Sequence, residues 1–471
     1  MIQSNTSSPT VSRSNSNTSI VNSKHSSGNS LSGSVSVSGS VTGTGTGSGN
    51  GNVNGVFIPY ENFDINDFYS FLRGFDLQFF DNDKDTLDVI QSFLEKYDND
   101  QAFYIVDLNK IIRQYYRWTQ NLPNVKPYYA IKCNPNRVII NMLAKLGCNF
   151  DCASRDEICQ VLDCDVNPDR IIFANPVKAS NQIKFARQED IDLLTFDSIS
   201  ELYKIKLYHP KANLLVRIKI DDSQSVCRFS SKFGASVEEL DKIFGIANAI
   251  NLNIVGVSFH VGSNCFSLNT YADAIVEARR AFDLAEKAGF TFHMLDIGGG
   301  FPANNEKLTF EDIAATIRNA INDNFGEKYP DLEVIAEPGR YMVSTSHTLV
   351  LNVIGKKEHI DAETGEKSFK YYLNDGVYGS YNCIHFDYAK PKIIPYNERD
   401  GTEYKSIVFG PTCDSMDTID GDCLLPDLAI GEWVYSENMG AYTISSSSAN
   451  FNGFKPAQCY YCIREEEPTP G

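Results

Sequence analysis

The sequence predicts an α/β chain: a (β/α)8 TIM barrel over residues 108–345, followed by a second, mainly β C-terminal domain over 346–471. Three observations point to it. Eight short apolar runs follow one another, each ending in a polar or glycine-containing turn. Between them lie amphipathic stretches with apolar residues at three- and four-residue spacing, as helices packed on a sheet require. Beyond residue 346 the helical period gives way to β-type runs with glycine-rich turns. An open doubly wound sheet is the competing reading of the first pattern.

In chain order, residues 1–56 are mostly Ser, Asn, Gly, Thr and Val, with "GTGTGSGNGNVNG" near their end. Such a segment buries too little surface to offset chain entropy and is expected to be a disordered, low-complexity tail. Residues 57–107, with "DTLDVIQSFLEKYD" and "QAFYIVDL", are expected to lend a helix and a strand to the β domain. The barrel strands are then "KPYYAIK", "NFDCA", "RIIFAN", "DLLTFDS", "NLLVRIKI", "IVGVSFHVG", "HMLDIGGG" and "LEVIAEPG". Stretches such as "PNRVIINMLAKLG", "SNQIKFARQED", "ISELYKIKLYH" and "LNTYADAIVEARRAFDLAEKAG" supply the helices. The β domain follows in "HTLVLNVIGKK", "SFKYYLNDGVYGS", "KSIVFGPTCD" and "GEWVYSENMGAYTI".

Composition narrows the function classes. The formal net charge is −18, and the first 56 residues hold two of the basic residues and no acid. A chain this acidic lacks the basic face of a nucleic-acid binder. No apolar run approaches the roughly 18 residues of a membrane span. Twelve scattered cysteines do not form a disulfide framework, and the single CxxC, Cys459 to Cys462, has no second pair to complete a zinc site. With no apolar signal segment, a reducing, cytoplasmic setting is expected, and no metal.

In such a barrel chemistry gathers at the C-terminal ends of the strands. Those ends are Lys132, Asp151, Asn175, Asp197, Arg217, His260, Gly298, Gly299 and Gly300, then Glu337 and Arg340. The three glycines let backbone N–H groups approach an anion, and phosphate sites in these barrels favour the loops after strands seven and eight, where Arg340 sits. No Gly-Lys-Ser/Thr follows, so this is not a Walker loop; a glycine run is otherwise an ordinary turn. A phosphate-bearing cofactor fits, and Lys132 as an amine nucleophile points to pyridoxal 5'-phosphate held covalently. Glu337 can then pair with the pyridine nitrogen and His260 can stack on the ring. Taken singly, His260 reads as a core histidine and Glu337–Arg340 as a salt bridge.

The motifs "YYAIKCNP", "FDCASRDEI", "FANPVK", "SFHVGS", "LDIGGGFP", "AEPGRY", "NDGVYGS", "GPTCDSMD" and "ENMGAYT", in this order across residues 57–462, resemble the eukaryotic ornithine decarboxylase family of alanine-racemase-like barrels. The resemblance implies that Lys132 carries the cofactor, that His260 stacks on it and that Glu337 partners its ring nitrogen. It implies a phosphate shell of Ser263, Gly298, Gly299, Gly300, Arg340 and Tyr442, with Asp151, Glu157 and Arg217 in support. It makes Cys413 the thiol that returns a proton to the substrate carbon, and Asp387 and Asp414 the carboxylates that receive a distal ammonium. Phe386 stands in the substrate pocket where the family usually has tyrosine, and Phe451 is a pocket residue displaced by one extra residue in "SSSSANFNGF".

The implied reaction is conversion of ornithine to putrescine and carbon dioxide, at the entry to polyamine biosynthesis. Family members place Cys413 and Asp414 in the partner's barrel, which implies a homodimer with shared sites. Lysine is the nearest rival substrate, since one methylene discriminates by only ~1–3 kcal/mol. Diaminopimelate lacks an evident cation here, and a racemase does not need a carboxylate at the ring nitrogen. A non-catalytic antizyme-binding homologue is the rival of a different class. Antizyme is also a candidate partner of an active enzyme through "VKASNQIKFAR", with Lys178, Lys184 and Arg187, a stretch that reads more simply as a solvated helix face.

Overall fold

The computed structural model describes Phe75 and residues 77–97, 100–303, 308–397, 399, 401–448 and 450–465; the expected tail, residues 1–56, lies outside them. The eight apolar runs form parallel strands Val125–Ala130, Asn149–Cys152, Ile171–Phe173, Leu193–Phe196, Asn213–Arg217, Asn253–Ser258, Met294–Asp296 and Glu333–Ala336. They pair in sequence order, and the last closes on the first, Val334 opposite Val125 and Ala336 opposite Pro127. The sheet is therefore a closed barrel without an edge, and the open doubly wound alternative is excluded.

Strand periodicity sorts the side chains. Tyr128, Ile172, Leu215, Val255, Met294 and Ile335 form one buried cluster of alternate strand positions. Their chain neighbours Tyr129, Phe173, Leu214 and Leu295 belong to the larger core shared with the helices. Several helices begin on a cap within a few residues of a strand end. Asn136 Oδ1 accepts the Val138 N–H at 2.9 Å ahead of helix Arg137–Lys145. Ser154 does the same for helix Arg155–Leu162, and Ser267 for helix Leu268–Lys287. Each cap contributes about 1 kcal/mol and keeps the strand-to-helix loop short, so residues at strand ends stay at the rim.

The β domain is a mixed sheet. Its strands run in the order Leu77–Asp81, Gln458–Glu465, Phe103–Asp107, His347–Ile360, Lys367–Leu373, Tyr404–Phe409 and Thr418–Leu425. Trp433–Ser436 also pairs with His347–Ile360. Helix Thr86–Lys96 buries Val89, Ile90 and Phe93 against Phe103, Ile105 and Tyr460 of this sheet. Cys459 and Cys462 stand three residues apart on one strand and so face opposite sides. Cys459 packs against the main core and Cys462 joins the cluster under the helix, and both are free thiols. Among the described residues no helix is long and apolar enough to cross a membrane.

The stretch "VKASNQIKFAR" is not uniformly a solvated helix face. Lys178 precedes helix Ser180–Gln188 and its side chain is fully buried. Its Nζ donates to the carbonyls of Asn175 (3.0 Å) and Thr195 (2.6 Å) and pairs with Glu201 at 3.1 Å. Burial pulls this ammonium down to about 8, against the opposing attraction of Glu201. Carbonyls left over where strands end need donors, and a lysine folded inward supplies them. Lys184 and Arg187 are exposed, Lys184 lying 4.6 Å from the Tyr208 ring centre.

Candidate active site

Lys132 leaves the first barrel strand in the tight turn Ile131–Cys133. Both sides of the turn are fastened. Ala130 N–H donates to the Pro338 carbonyl at 3.2 Å, and Tyr442 N–H to the Cys133 carbonyl at 3.0 Å. The Tyr129 hydroxyl donates to the Asn134 carbonyl at 2.9 Å, and the Asn134 amide donates to the Gly440 carbonyl at 2.9 Å beside the buried His347 ring. Ile131 and Cys133 are wholly buried, so the turn sends Lys132, 40 % exposed, into the barrel mouth. Its Nζ is paired with Asp151, only 1 % exposed on the second strand. Burial works against the ammonium, but Asp151, Glu337 and Tyr442 outweigh it and hold it above the usual lysine range.

Glu337 lies at the end of the last strand, buried. Burial, then the neighbouring Asp296 and Asp151 carboxylates, push its carboxyl well above the usual range, and Lys132 and Arg217 oppose this only in part. Asp296, inside the seventh strand, is raised by burial too. A buried acid kept protonated can give its proton to a basic ring nitrogen and remain beside it as the counter-charge.

His260 follows the sixth strand. Burial, then the Arg217 and Lys132 cations, push its imidazole well below the ordinary range. Nδ1 accepts the Gly262 N–H at 3.0 Å, so the proton of the neutral ring sits on Nε2. Phe229 braces the ring edge-on at 5.0 Å. A Cβ added to Gly299 would lie 2.8 Å from Nε2. A neutral ring held this rigidly can lie against an aromatic cofactor. The glycine run has a packing duty as well: Gly298 and Gly300 adopt φ of +62° and +108°, and a Cβ on either would strike the Phe259 or Gly262 carbonyl.

Arg340 opens the short helix Arg340–Val343. Its Nη2 contacts both oxygens of Asp387, at 2.6 and 2.8 Å, and donates to Ser263 Oγ at 3.1 Å. The guanidinium stands 5.1 Å from the Tyr442 ring centre, and its buried Nε has no partner among the described residues. Lys132, His260, Ser263, Gly300, Glu337, Arg340 and Tyr442 line one cleft. An amine, a carboxyl that burial and its acidic neighbours push toward its protonated form, a flat ring and a cation with a spare donor suit pyridoxal phosphate: an aldehyde, a ring nitrogen, a π face and a phosphate. Buried Asp151 Oδ1 and Arg340 Nε, both without partners, show donor and acceptor capacity unused by the protein alone.

Other rim residues hold loops in place. Asn175 donates to the Ala153 carbonyl at 3.3 Å, Asp197 accepts the Gly234 N–H at 3.0 Å, and Glu157 accepts the Ala153 N–H at 2.6 Å. Arg217 lies 5.1 Å from the Phe233 ring centre.

Cys413 and Asp414 do not line this cleft. They sit on a loop of the β domain, with Cys413 exposed and Asp414 accepting from the Tyr378 hydroxyl. Tyr378 stacks on Phe451 with ring centres 4.0 Å apart. Phe386 is 68 % exposed beside buried Asp387. The loop is clamped by Asp417, whose carboxylate accepts the Val377 N–H at 2.8 Å and the Thr412 N–H at 3.0 Å. Asp417, Asp296, Asn134 and Phe229 are site residues that the sequence reading missed. Only Asp296 carried a visible signal, a carboxylate inside an apolar strand.

Residues 108–344 match the family model described as pyridoxal-dependent decarboxylase, pyridoxal binding domain. An ornithine decarboxylase of Schizosaccharomyces pombe is 46 % identical over 370 residues, 76 % of this chain and 83 % of that one. Antizyme inhibitor 2 of Xenopus laevis is 44 % identical over 389 residues, 81 % of this chain and 85 % of that one. The crystal structure of a lysine/ornithine decarboxylase from Vibrio vulnificus, complexed with cadaverine, superimposes with a TM-score of 0.71 at 34 % identity, covering 79 % of this chain and 97 % of that one.

Proposed function

The chain belongs to the pyridoxal-dependent decarboxylase family, and from that membership and the cleft geometry we propose that it converts L-ornithine to putrescine and carbon dioxide. The observation that carries the reading is the Lys132–Asp151 pair facing the raised carboxyl of Glu337 in one cleft, in a chain 46 % identical to an ornithine decarboxylase.

Pyridoxal phosphate, when bound, supplies an electron sink for the pair left behind as carbon dioxide departs. Lys132 would hold the cofactor covalently, and Asp151, beside its Nζ, would hold the lysine as an ammonium whenever that nitrogen is free. Glu337 holds the proton of the ring nitrogen, and His260 presses on the ring face. Arg340, Ser263, Tyr442 and the loop of Gly298, Gly299 and Gly300 hold the phosphate, with Arg217 in support. Asp387 and Asp414 receive the distal ammonium beside Phe386, and Cys413 returns a proton to the carbon.

With Cys413 and Asp414 outside the cleft lining of their own chain, the reading takes them to a partner's barrel mouth across a two-fold axis, in a homodimer, in the cytoplasm and at the entry to polyamine biosynthesis. Exposed Phe386, Tyr388 and Met416 supply apolar surface for that contact. Mixing Lys132→Ala with Asp414→Ala protein, each inactive alone, is expected to restore about a quarter of wild-type activity through heterodimers with one intact site. No recovery after subunit exchange sinks the shared site.

The likeness to an antizyme inhibitor supports a second reading, a binding protein without turnover. Lys132, Asp151, His260, Glu337 and Cys413 are all present and argue for the enzyme. Carbon dioxide release with ornithine and with lysine, with and without added cofactor, decides between them. Cofactor-dependent putrescine, in excess over cadaverine by the roughly tenfold or more that one methylene allows, is the expected result. Release from neither substrate favours the binding protein, and cadaverine in excess makes lysine the substrate.

A further inference from the structure

Arg340 and Asp387 present a conflict of duties. Arg340 follows the last strand, where an anion is to be held, and Asp387 is the buried carboxylate available to a cation. In this structure each occupies the other: Nη2 contacts both carboxylate oxygens, at 2.6 and 2.8 Å, with side chains 11 % and 6 % exposed. The same Nη2 reaches Ser263 Oγ, while Nε is buried without a partner. The guanidinium is thus already turned to one side of the cleft and incompletely satisfied there.

A buried ion pair holds strongly only while both charges have no better partner. Bringing a phosphate dianion to Arg340 offers a competitor with more charge and more acceptor oxygens than one carboxylate. Bringing a primary ammonium to Asp387 offers that carboxylate a partner that leaves Arg340 free. The two ligands therefore act on one switch from opposite sides.

We propose that the Arg340–Asp387 pair is an exchangeable latch that makes cofactor and diamine binding mutually reinforcing: phosphate takes Arg340, the distal ammonium takes Asp387, and each exchange makes the other easier. Asp387 is then a positioning residue for the substrate and at the same time a competitor for the cofactor. By linkage, whatever factor the diamine adds to cofactor affinity, the cofactor adds to diamine affinity. This rests on the proposed function, because it takes pyridoxal phosphate and a diamine as the ligands.

The test is the equilibrium affinity of the full-length protein for pyridoxal phosphate, read from the absorbance of the lysine-bound cofactor and from cofactor-dependent thermal stabilisation, in wild type and Asp387→Asn. Removing the competing charge is expected to tighten cofactor binding on the order of tenfold, about 1.4 kcal/mol. Putrescine is expected to tighten it further in wild type and to leave Asp387→Asn unchanged. Looser binding in the variant would show that Asp387 merely props Arg340 for the phosphate, and unchanged binding that the pair does not exchange; either overturns the latch. Asp387→Glu, which keeps the charge, should stay near wild type, so misfolding and loss of the latch are separable. Failure of wild type itself to bind the cofactor would instead overturn the functional reading.

Discussion

Lys132→Ala is expected to lower turnover on the order of 10⁴-fold or more, as loss of a covalent nucleophile does elsewhere, and to abolish the absorbance of lysine-bound cofactor. Lys132 is the amine of the cleft, because Ile131 and Cys133 are buried on the other sides of the turn and Asp151 holds its Nζ in place. Removing it also leaves Asp151 buried without that ionic partner, and its Oδ1 has no partner among the described residues even in the intact protein. The variant should therefore lose stability as well as activity, and stopped-flow absorbance together with thermal melting reads both. Activity within tenfold of wild type would remove Lys132 from the chemistry altogether.

The second large effect is expected at Glu337. Glu337→Gln keeps the shape but cannot hold an ionic partner for a ring nitrogen, and turnover should fall on the order of 10²-fold, about 2.7 kcal/mol in barrier. Stability of the cofactor-free protein should move the other way. The Glu337 carboxyl is raised in the folded state by burial and by Asp296 and Asp151. The folded protein thus binds a proton that the unfolded chain releases near its ordinary value. That contribution is fully present below the ordinary carboxyl range and is lost as pH rises through the raised value. Glutamine removes the dependence, so the variant should melt higher than wild type at neutral pH, with the gap closing toward pH 4.5. A variant that loses stability at neutral pH would show that the carboxyl is not held against its charge.

These two residues also mark how far a sequence carries. Lys132 and Glu337 are both legible because a barrel strand end is a defined place: short apolar runs closed by polar or glycine turns locate the strands, and each run's end locates the rim. The same logic placed Asp151, His260 and Arg340. It did not reach Phe229, which braces His260 from the loop that follows the fifth strand, or Asp417, which clamps the Cys413 loop across two turns of the β domain. Loop-to-loop contacts leave no period in the chain. Lys178 belongs to a stretch whose composition suits a solvated helix face, but it lies before the helix begins, where the Asn175 and Thr195 carbonyls draw it inward.

The eight-fold alternation, the β-rich second half and the strand ends that carry the chemistry are all legible along the chain, because each is a local pattern of apolar spacing and turn residues. Barrel closure and the pairing of Arg340 with Asp387 were decided only by the tertiary structure. Both depend on which distant residues come into contact, 47 positions apart for the ion pair. At that separation the charge state, burial and free valence of a side chain are set by neighbours that its own segment does not contain.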